Sequence, residues 1–361
     1  MRLTGQILSR GADKGRRRLT QLAHALVVCL VVVLSACEGS GGRTLVVYSP
    51  LSPEMVRYAE DRFEQMWADV DVRMVRLDDA AAMERIRSGR GDGDVWWGAA
   101  SDVLAEASRD SLLESFRPSW IEAGSAMAGA NDDDHWQAAS VSPFVIVFNR
   151  EVTQISRAPR DWADLFHPRW RGGVVVLDPA KDGTGAAFLS GVIEHAVLED
   201  GDPVAGFDWL TRLDASVGAY AADSEELMRM LEKGDALIGI LPVHVAERLR
   251  HDGAGWLHYN HPETGSPALV LGVAMLRGSP EPDLAQEFIE MTGVELATEL
   301  AAGDWWLPAH GPLSKARYPE GHFLPVSAIP WRPNPALSGE EAGNWLAQWE
   351  RDVRGRGGSL Y

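Results

Sequence analysis

The chain has 361 residues, a formal net charge of −18, 45% hydrophobic residues and two cysteines. That acidity repels phosphate backbones and argues against nucleic acid as a partner. Both cysteines, Cys29 and Cys37, lie near the N-terminus, so the body of the chain forms neither a disulfide nor a thiolate metal site, and a chain long enough for two domains buries a core that needs no covalent staples.

Arg16-Arg17-Arg18 precedes an apolar run from Leu22 to Leu34, which leads into Leu34-Ser35-Ala36-Cys37. A basic segment, a short apolar segment and then small residues form the layout of a secretory signal. The run contains His24 and is shorter than the ~20 residues a spanning helix needs. A cysteine directly after Leu-Ser-Ala resembles the bacterial lipobox. That resemblance implies a signal peptide over 1–36, cleavage before Cys37, a lipid such as palmitate on its thiol, and a Gly/Ser tether over 37–42. A plain signal peptide or a short membrane anchor is the alternative. Residues 1–36 are basic, so the remainder is more acidic than the whole.

Thr44 to Tyr48 is a continuous apolar run of strand length, as for a strand buried on both faces. Ser52-Pro53-Glu54 predicts a helix start, with a capping hydroxyl, proline in the first turn and an early carboxylate. Met55, Tyr58, Ala59, Phe63 and Met66 follow at helical spacing. Val70 to Val75 alternates like a strand, and Ala80 to Ser88 reads as a helix. Asp94 to Trp97 predicts a third strand, with Gly98 to Ser101 as a loop before another helix. Val141 to Asn149 is a further apolar strand, and Asp161 to Leu165 a short helix. Gly173 to Leu177 is a buried strand, Asp178 to Gly185 a turn, and a helix starts near Thr184. Ser224 to Glu232 reads as a helix capped by its serine, and Ala236 to Leu241 and Ala268 to Leu276 as strands. Pro282 to Leu300 is mainly helical, with a late glycine, Gly293. Beyond Gly303 only Gly339 to Arg354 looks helical. Alternating strands and helices predict an α/β fold rich in parallel pairing.

The order of these motifs resembles the periplasmic solute-binding proteins of ABC importers, in the branch that includes ferric-iron, spermidine/putrescine and sugar-phosphate binders. The residues that carry the resemblance are Leu45-Val-Val-Tyr-Ser49, Asp94-Val-Trp-Trp-Gly98, Pro159 to Leu165, Gly173 to Pro179 with Gly183-Thr184, Ala221-Ala-Asp-Ser224, Glu232-Lys-Gly-Asp235, Ile238-Gly-Ile240, His261 to Gly265 and Ala285 to Ile289. The resemblance covers roughly residues 44 to 310. It implies a two-lobed type II periplasmic-binding-protein fold with crossover hinge strands and a ligand cleft. Lobe 1 would hold 43–140 and 265–310, lobe 2 would hold 141–264, and 311–361 would form a C-terminal extension packing on the lobes. It further implies a monomer facing the periplasm or cell exterior, with no catalysis and no cofactor. Its partners would be a small-molecule solute, a permease with its ATPase, and the membrane through the lipid.

Ligands of open α/β sheets lie at the carboxyl ends of strands. Tyr48, Ser49 and Ser52 follow the first strand and are candidates, although Ser52 serves equally as a helix cap. Neighbours on a strand point to opposite faces, so one of Trp96 and Trp97 should be core and the other, taken as Trp97, available to a ligand. Ser101 is a ligand contact or a cap. Gly183-Thr184-Gly185 at a helix start, beside Lys181, points to an anion bound by backbone N–H groups, or to an ordinary turn with a threonine cap. Asp223 and Ser224 face the cleft by family analogy, and His244 follows a buried strand.

Ferric binders of this family usually carry a tyrosine pair where this chain reads Pro242-Val243-His244, and their histidine and glutamate fall near Ser52 and Ala99. Iron held in the usual way is therefore not expected, and no metal ligands are assigned. The fourteen tryptophans, with Trp305-Trp306 near the hinge, and Asp223 would suit a polyamine or quaternary amine. The glycine-threonine helix start would suit a phosphate ester, phosphonate or carboxylate, and the organic anion is favoured. An exported hydrolase is the rival class, but the chain holds no Gly-x-Ser-x-Gly elbow, phosphate loop or His-Glu-x-x-His pair.

Overall fold

The computed structural model describes residues 42–89, 91–121, 134–310, 330–332 and 339–357. The expected signal peptide, Cys37 and the tether up to position 41 lie outside the described residues. No described helix is long and apolar enough to cross a membrane.

The first lobe is built on β1 (Arg43–Ser49), β2 (Val70–Arg76) and β3 (Val95–Ala100). Strand β1 lies between the other two and pairs parallel with both, which is why its apolar run is continuous. Helices α1 (Pro53–Met66), α2 (Asp79–Arg87) and α3 (Ser101–Arg109) follow the three strands. The sequence places a loop over Gly98 to Ser101, but β3 continues to Ala100 and α3 starts at once. Ala99 and Ala100 pair with Gly272 and Leu271, and the register shift between Gly272 and Val273 leaves Gly98 without a partner in that ladder.

One strand carries the chain between lobes. Strand β5 (Gln137–Asn149) is buried along all 13 residues. Up to Pro143 it pairs with β10 (Ala268–Leu276), and from Phe144 with β8 (Ile238–Pro242). Strand β11 (Leu307–Pro308) covers its first half and β9 (Leu257–Asn260) its second. The two-residue strand β4 (Leu113–Glu114) pairs with β10. In the second lobe β6 (Val174–Leu177) pairs parallel with both β7 (Val217–Ala221) and β8. The strand order is β2-β1-β3-β10-β5-β8-β6-β7, parallel within each lobe and antiparallel where β5 and β10 cross. This is the two-lobed α/β architecture expected from the sequence.

Helices α4 (Gly183–Asp200), α5 (Val204–Asp214), α6 (Ser224–Lys233) and α7 (Val243–His251) pack on the second lobe. Helix α8 (Pro282–Met291) covers the first, and a π-helical turn over Thr292–Leu296 joins it to α9 (Ala297–Gly303). That turn passes over Trp120, whose ring would lie 2.1 Å from a Cβ at Gly293, so only glycine fits. The last helix, α10 (Gly339–Asp352), buries Trp349 among the second lobe's apolar residues.

Candidate functional site between the lobes

Ser52 is the N-cap of α1, with its Oγ accepting from the Met55 N–H at 3.2 Å. Its hydroxyl also donates to Asp304 Oδ2 at 3.3 Å, so the cap and the cleft contact are one side chain. Asp304 ends α9. Burial raises its carboxyl pKa and Glu54 adds to this, while the Ser52 hydroxyl and the Arg248 charge oppose it. Its neighbour Trp305 adopts φ 58°, in the left-handed region. The chain therefore turns sharply: Trp305 lies 5.3 Å from His251, and Trp306 stacks on His244 at 4.3 Å and 24°.

His244 opens α7. Its Nδ1 lies 2.7 Å from Ser142 Oγ, which also accepts the His244 backbone N–H. Burial pushes the imidazole pKa down to about 3, with the Arg248 charge acting in the same direction, so the ring is neutral at pH 7. Ser142 sits on β5 next to the partner change, and Ser140 lies two residues earlier on the same face. Both are buried, and Ser140 Oγ has no hydrogen-bond partner among the described residues. Contacts thus run from Ser52 on lobe 1, through Asp304 and Trp306 on the returning segment, to His244 on lobe 2 and Ser142 on the crossover strand.

Several expected site residues are placed elsewhere. Tyr48 is fully buried and does not face the cleft: its hydroxyl donates to Asp92 Oδ1 at 3.0 Å and accepts the Asp92 N–H. Ser49 is also fully buried, with its Oγ accepting from the Leu51 N–H. Trp97 packs edge-on against Phe288, and Trp96 fills the opposite apolar cluster. Both faces of β3 are covered, so both tryptophans are core, contrary to the expectation that Trp97 is available to a ligand. Ser101 is the first residue of α3, but Ala100 holds the cap position and no side chain caps the helix.

The anion motif is corrected on physical grounds. Asp182 is the N-cap of α4, and its Oδ1 accepts the N–H groups of Thr184 and Gly185 at 2.8 and 3.0 Å. A carboxylate of the chain itself occupies these donors, so Gly183-Thr184-Gly185 does not present them to a solute. Gly185 is required by close approach, since a Cβ would lie 2.8 Å from the Leu177 carbonyl oxygen. Lys181 directs its ammonium to Asp178, 3.5 Å away. Helix α6 is capped by Asp223 and not by Ser224, with Asp223 Oδ1 accepting the Glu226 N–H.

Asp304, Arg248, Ser140, Ser142 and Asp182 were not singled out from sequence. Two serines inside an apolar strand were a usable signal for Ser140 and Ser142. Aspartate directly before a glycine at a helix start was one for Asp182, because aspartate is a preferred cap.

The profile described as "Bacterial extracellular solute-binding protein" matches residues 99–331. A probable ABC transporter periplasmic-binding protein of Sinorhizobium fredii is 24% identical over 291 residues, covering 79% of this chain and 78% of that protein. Among solved structures, the Trichodesmium protein IdiA (FutA), in complex with iron and citrate, aligns with a TM-score of 0.70 and 16% identity, covering 85% of this chain and 98% of that one. The periplasmic binding protein AfuA of Actinobacillus pleuropneumoniae, with exogenous fructose-6-phosphate bound, aligns with a TM-score of 0.59 and 21% identity, covering 87% and 99%. The chain belongs to the bacterial extracellular solute-binding proteins, the exported receptors that bring small solutes to ABC importers.

Proposed function

We propose that this chain is the lipid-anchored receptor of an ABC importer and that its solute is a small polar molecule carrying a protonated amine, seated between Ser52–Asp304 and Ser142–His244–Trp306. The observation that carries the reading is Asp304. Its carboxylate is partly desolvated, receives one hydroxyl and forms no ion pair among the described residues. Such a group gains most from a cation delivered by a ligand. Asp79, the first residue of α2, is a second partly desolvated carboxylate, with its Oδ2 accepting the Ala100 N–H at 3.0 Å. Burial raises its pKa, and its Oδ1 has no hydrogen-bond partner among the described residues. Trp306 and the neutral His244 add flat apolar faces suited to the carbon skeleton of the solute.

Arg248 supports a second reading. Its exposed guanidinium makes no side-chain hydrogen bond or ion pair among the described residues, yet its charge reaches both His244 and Asp304. A solute with a carboxylate as well as an amine would use both groups, and a phosphate ester or phosphonate would use Arg248 alone.

Iron is not proposed as cargo. The hydroxyls of Tyr48, Tyr220 and Tyr259 are engaged by Asp92, Asp214 and Glu247. In all three, burial is the largest cause of a raised pKa and the carboxylate neighbour adds to it, opposing the tyrosinate form that binds ferric iron. Anchoring through Cys37, a monomeric state and the absence of catalysis belong to the same proposal.

The test is a thermal-shift panel of spermidine, zwitterionic amino acids, fructose 6-phosphate, a phosphonate and ferric citrate. A ligand at a hundred times its Kd stabilises the fold by about 2.7 kcal/mol. Amines should raise Tm, and Asp304→Asn should remove the shift. An upward shift with phosphate esters alone, abolished by Thr184→Val, would replace this reading with the anion.

A further inference from the structure

The C-terminal segment, beyond the residues matched by the family profile, supplies the arginine of an ion pair whose carboxylate is buried in the second lobe. Asp178, the residue after β6, is fully buried. Its carboxylate accepts from Arg354 at both oxygens, Nη1 to Oδ1 at 3.1 Å and Nη2 to Oδ2 at 2.7 Å. This two-bond geometry fixes orientation as well as charge. Oδ1 also accepts the Ala180 N–H at 3.1 Å, and the Asp178 carbonyl accepts the N–H groups of Lys181 and Asp182, each at 2.9 Å. Asp182 in turn caps α4. A single line of contacts therefore leads from Arg354 to the first turn of α4. The Asp178 N–H donates to the Ala221 carbonyl oxygen, which ties the same node to the Asp223 loop.

A second anchor holds the tail beside the first. Asp214 accepts the N–H groups of Gly355 and Gly357 at 2.9 and 2.8 Å, and also the Tyr220 hydroxyl. Arg354 lies over the rings of Tyr220 and Trp349, at 5.0 and 5.4 Å. Three backbone or side-chain groups of 354–357 are thus held by two buried aspartates.

We propose that residues 349–357 form a clamp that sets the conformation of the 178–185 turn, with Arg354 as its positioning residue. The turn is not part of the solute seat proposed above, and the clamp acts on the conformation of the second lobe. An arginine is required because a lysine cannot span both oxygens of Asp178. Removing Arg354 leaves a buried carboxylate whose remaining partners are the Ala180 N–H and the exposed Lys181.

The experiment is amide hydrogen exchange on the full chain, with Arg354→Ala, Arg354→Lys and the double variant Arg354→Ala/Asp178→Asn. In Arg354→Ala the amides of Ala180, Lys181, Asp182, Thr184 and Gly185 should exchange at least about tenfold faster, while β1 and β3 exchange as in the wild type. Arg354→Lys should fall between the two. If Arg354→Ala does not fold, the double variant, which removes the uncompensated charge, should fold and still show the loosened turn. Uniform acceleration across lobe 2, or none at the turn, would overturn the clamp. Exchange needs no ligand, so its outcome stands apart from the thermal-shift panel.

Discussion

His244 offers the sharpest test of the cleft's electrostatics. Its folded pKa of about 3 lies well below the ordinary 6.5. The folded state therefore resists a proton that the unfolded chain accepts, and stability is lost as pH falls from 6.5 towards 3. One such group changes stability by about 1.4 kcal/mol per pH unit within that window. Between pH 7 and 4.5 the loss from His244 alone amounts to about 2.5 kcal/mol. His244→Phe removes the titration and keeps a ring against Trp306. At pH 7 it should cost about 1 kcal/mol, for the lost Nδ1 contact to Ser142. At pH 4.5 the sign should reverse, with the variant more stable than the wild type by about 1.5 kcal/mol. Urea denaturation of both proteins at half-unit pH steps reads the difference directly, since other titrating groups contribute equally to both. Parallel profiles would refute the argument and place His244 in open contact with water.

Ser52→Ala should cost about 1 kcal/mol as a lost helix cap, read by thermal denaturation, and should raise the Asp304 pKa further, read by carboxyl NMR. Unchanged values of both would separate Ser52 from α1 and from Asp304. Gly293→Ala should destabilise by about 1–3 kcal/mol because its Cβ meets the Trp120 ring; an unperturbed near-ultraviolet tryptophan spectrum with normal stability would contradict the packing. Cys37→Ser should release the protein from membranes or block its maturation, and mass spectrometry showing an unmodified Cys37 in native protein would remove the anchor.

The sequence by itself determined many of the elements, although α5, β7, α7 and β9 were not read from it. The continuous apolar run at Thr44 to Tyr48 read as a strand covered on both faces and Ala268 to Leu276 as a strand, and the cap at Ser52 was legible because local hydrogen bonding decides it. The α/β class followed from the alternation of strands and helices, and the two lobes from the family resemblance that the motifs carry. The site was less legible, because a residue's position after a strand does not say which way its side chain points. Tyr48 and Trp97 follow the rule for cleft residues, yet both are core because helices and neighbouring strands cover the two faces of their sheet. The anion motif failed for a local reason that was present in the chain: Asp182 competes for the same N–H groups at contact distance. Other pairings join residues far apart in sequence. Ser52 meets Asp304, Ser142 meets His244, and Asp178 meets Arg354. Only the crossing of β5 and the return of the C-terminal segment bring these partners together, and burial then sets their charge states, which composition and spacing do not encode.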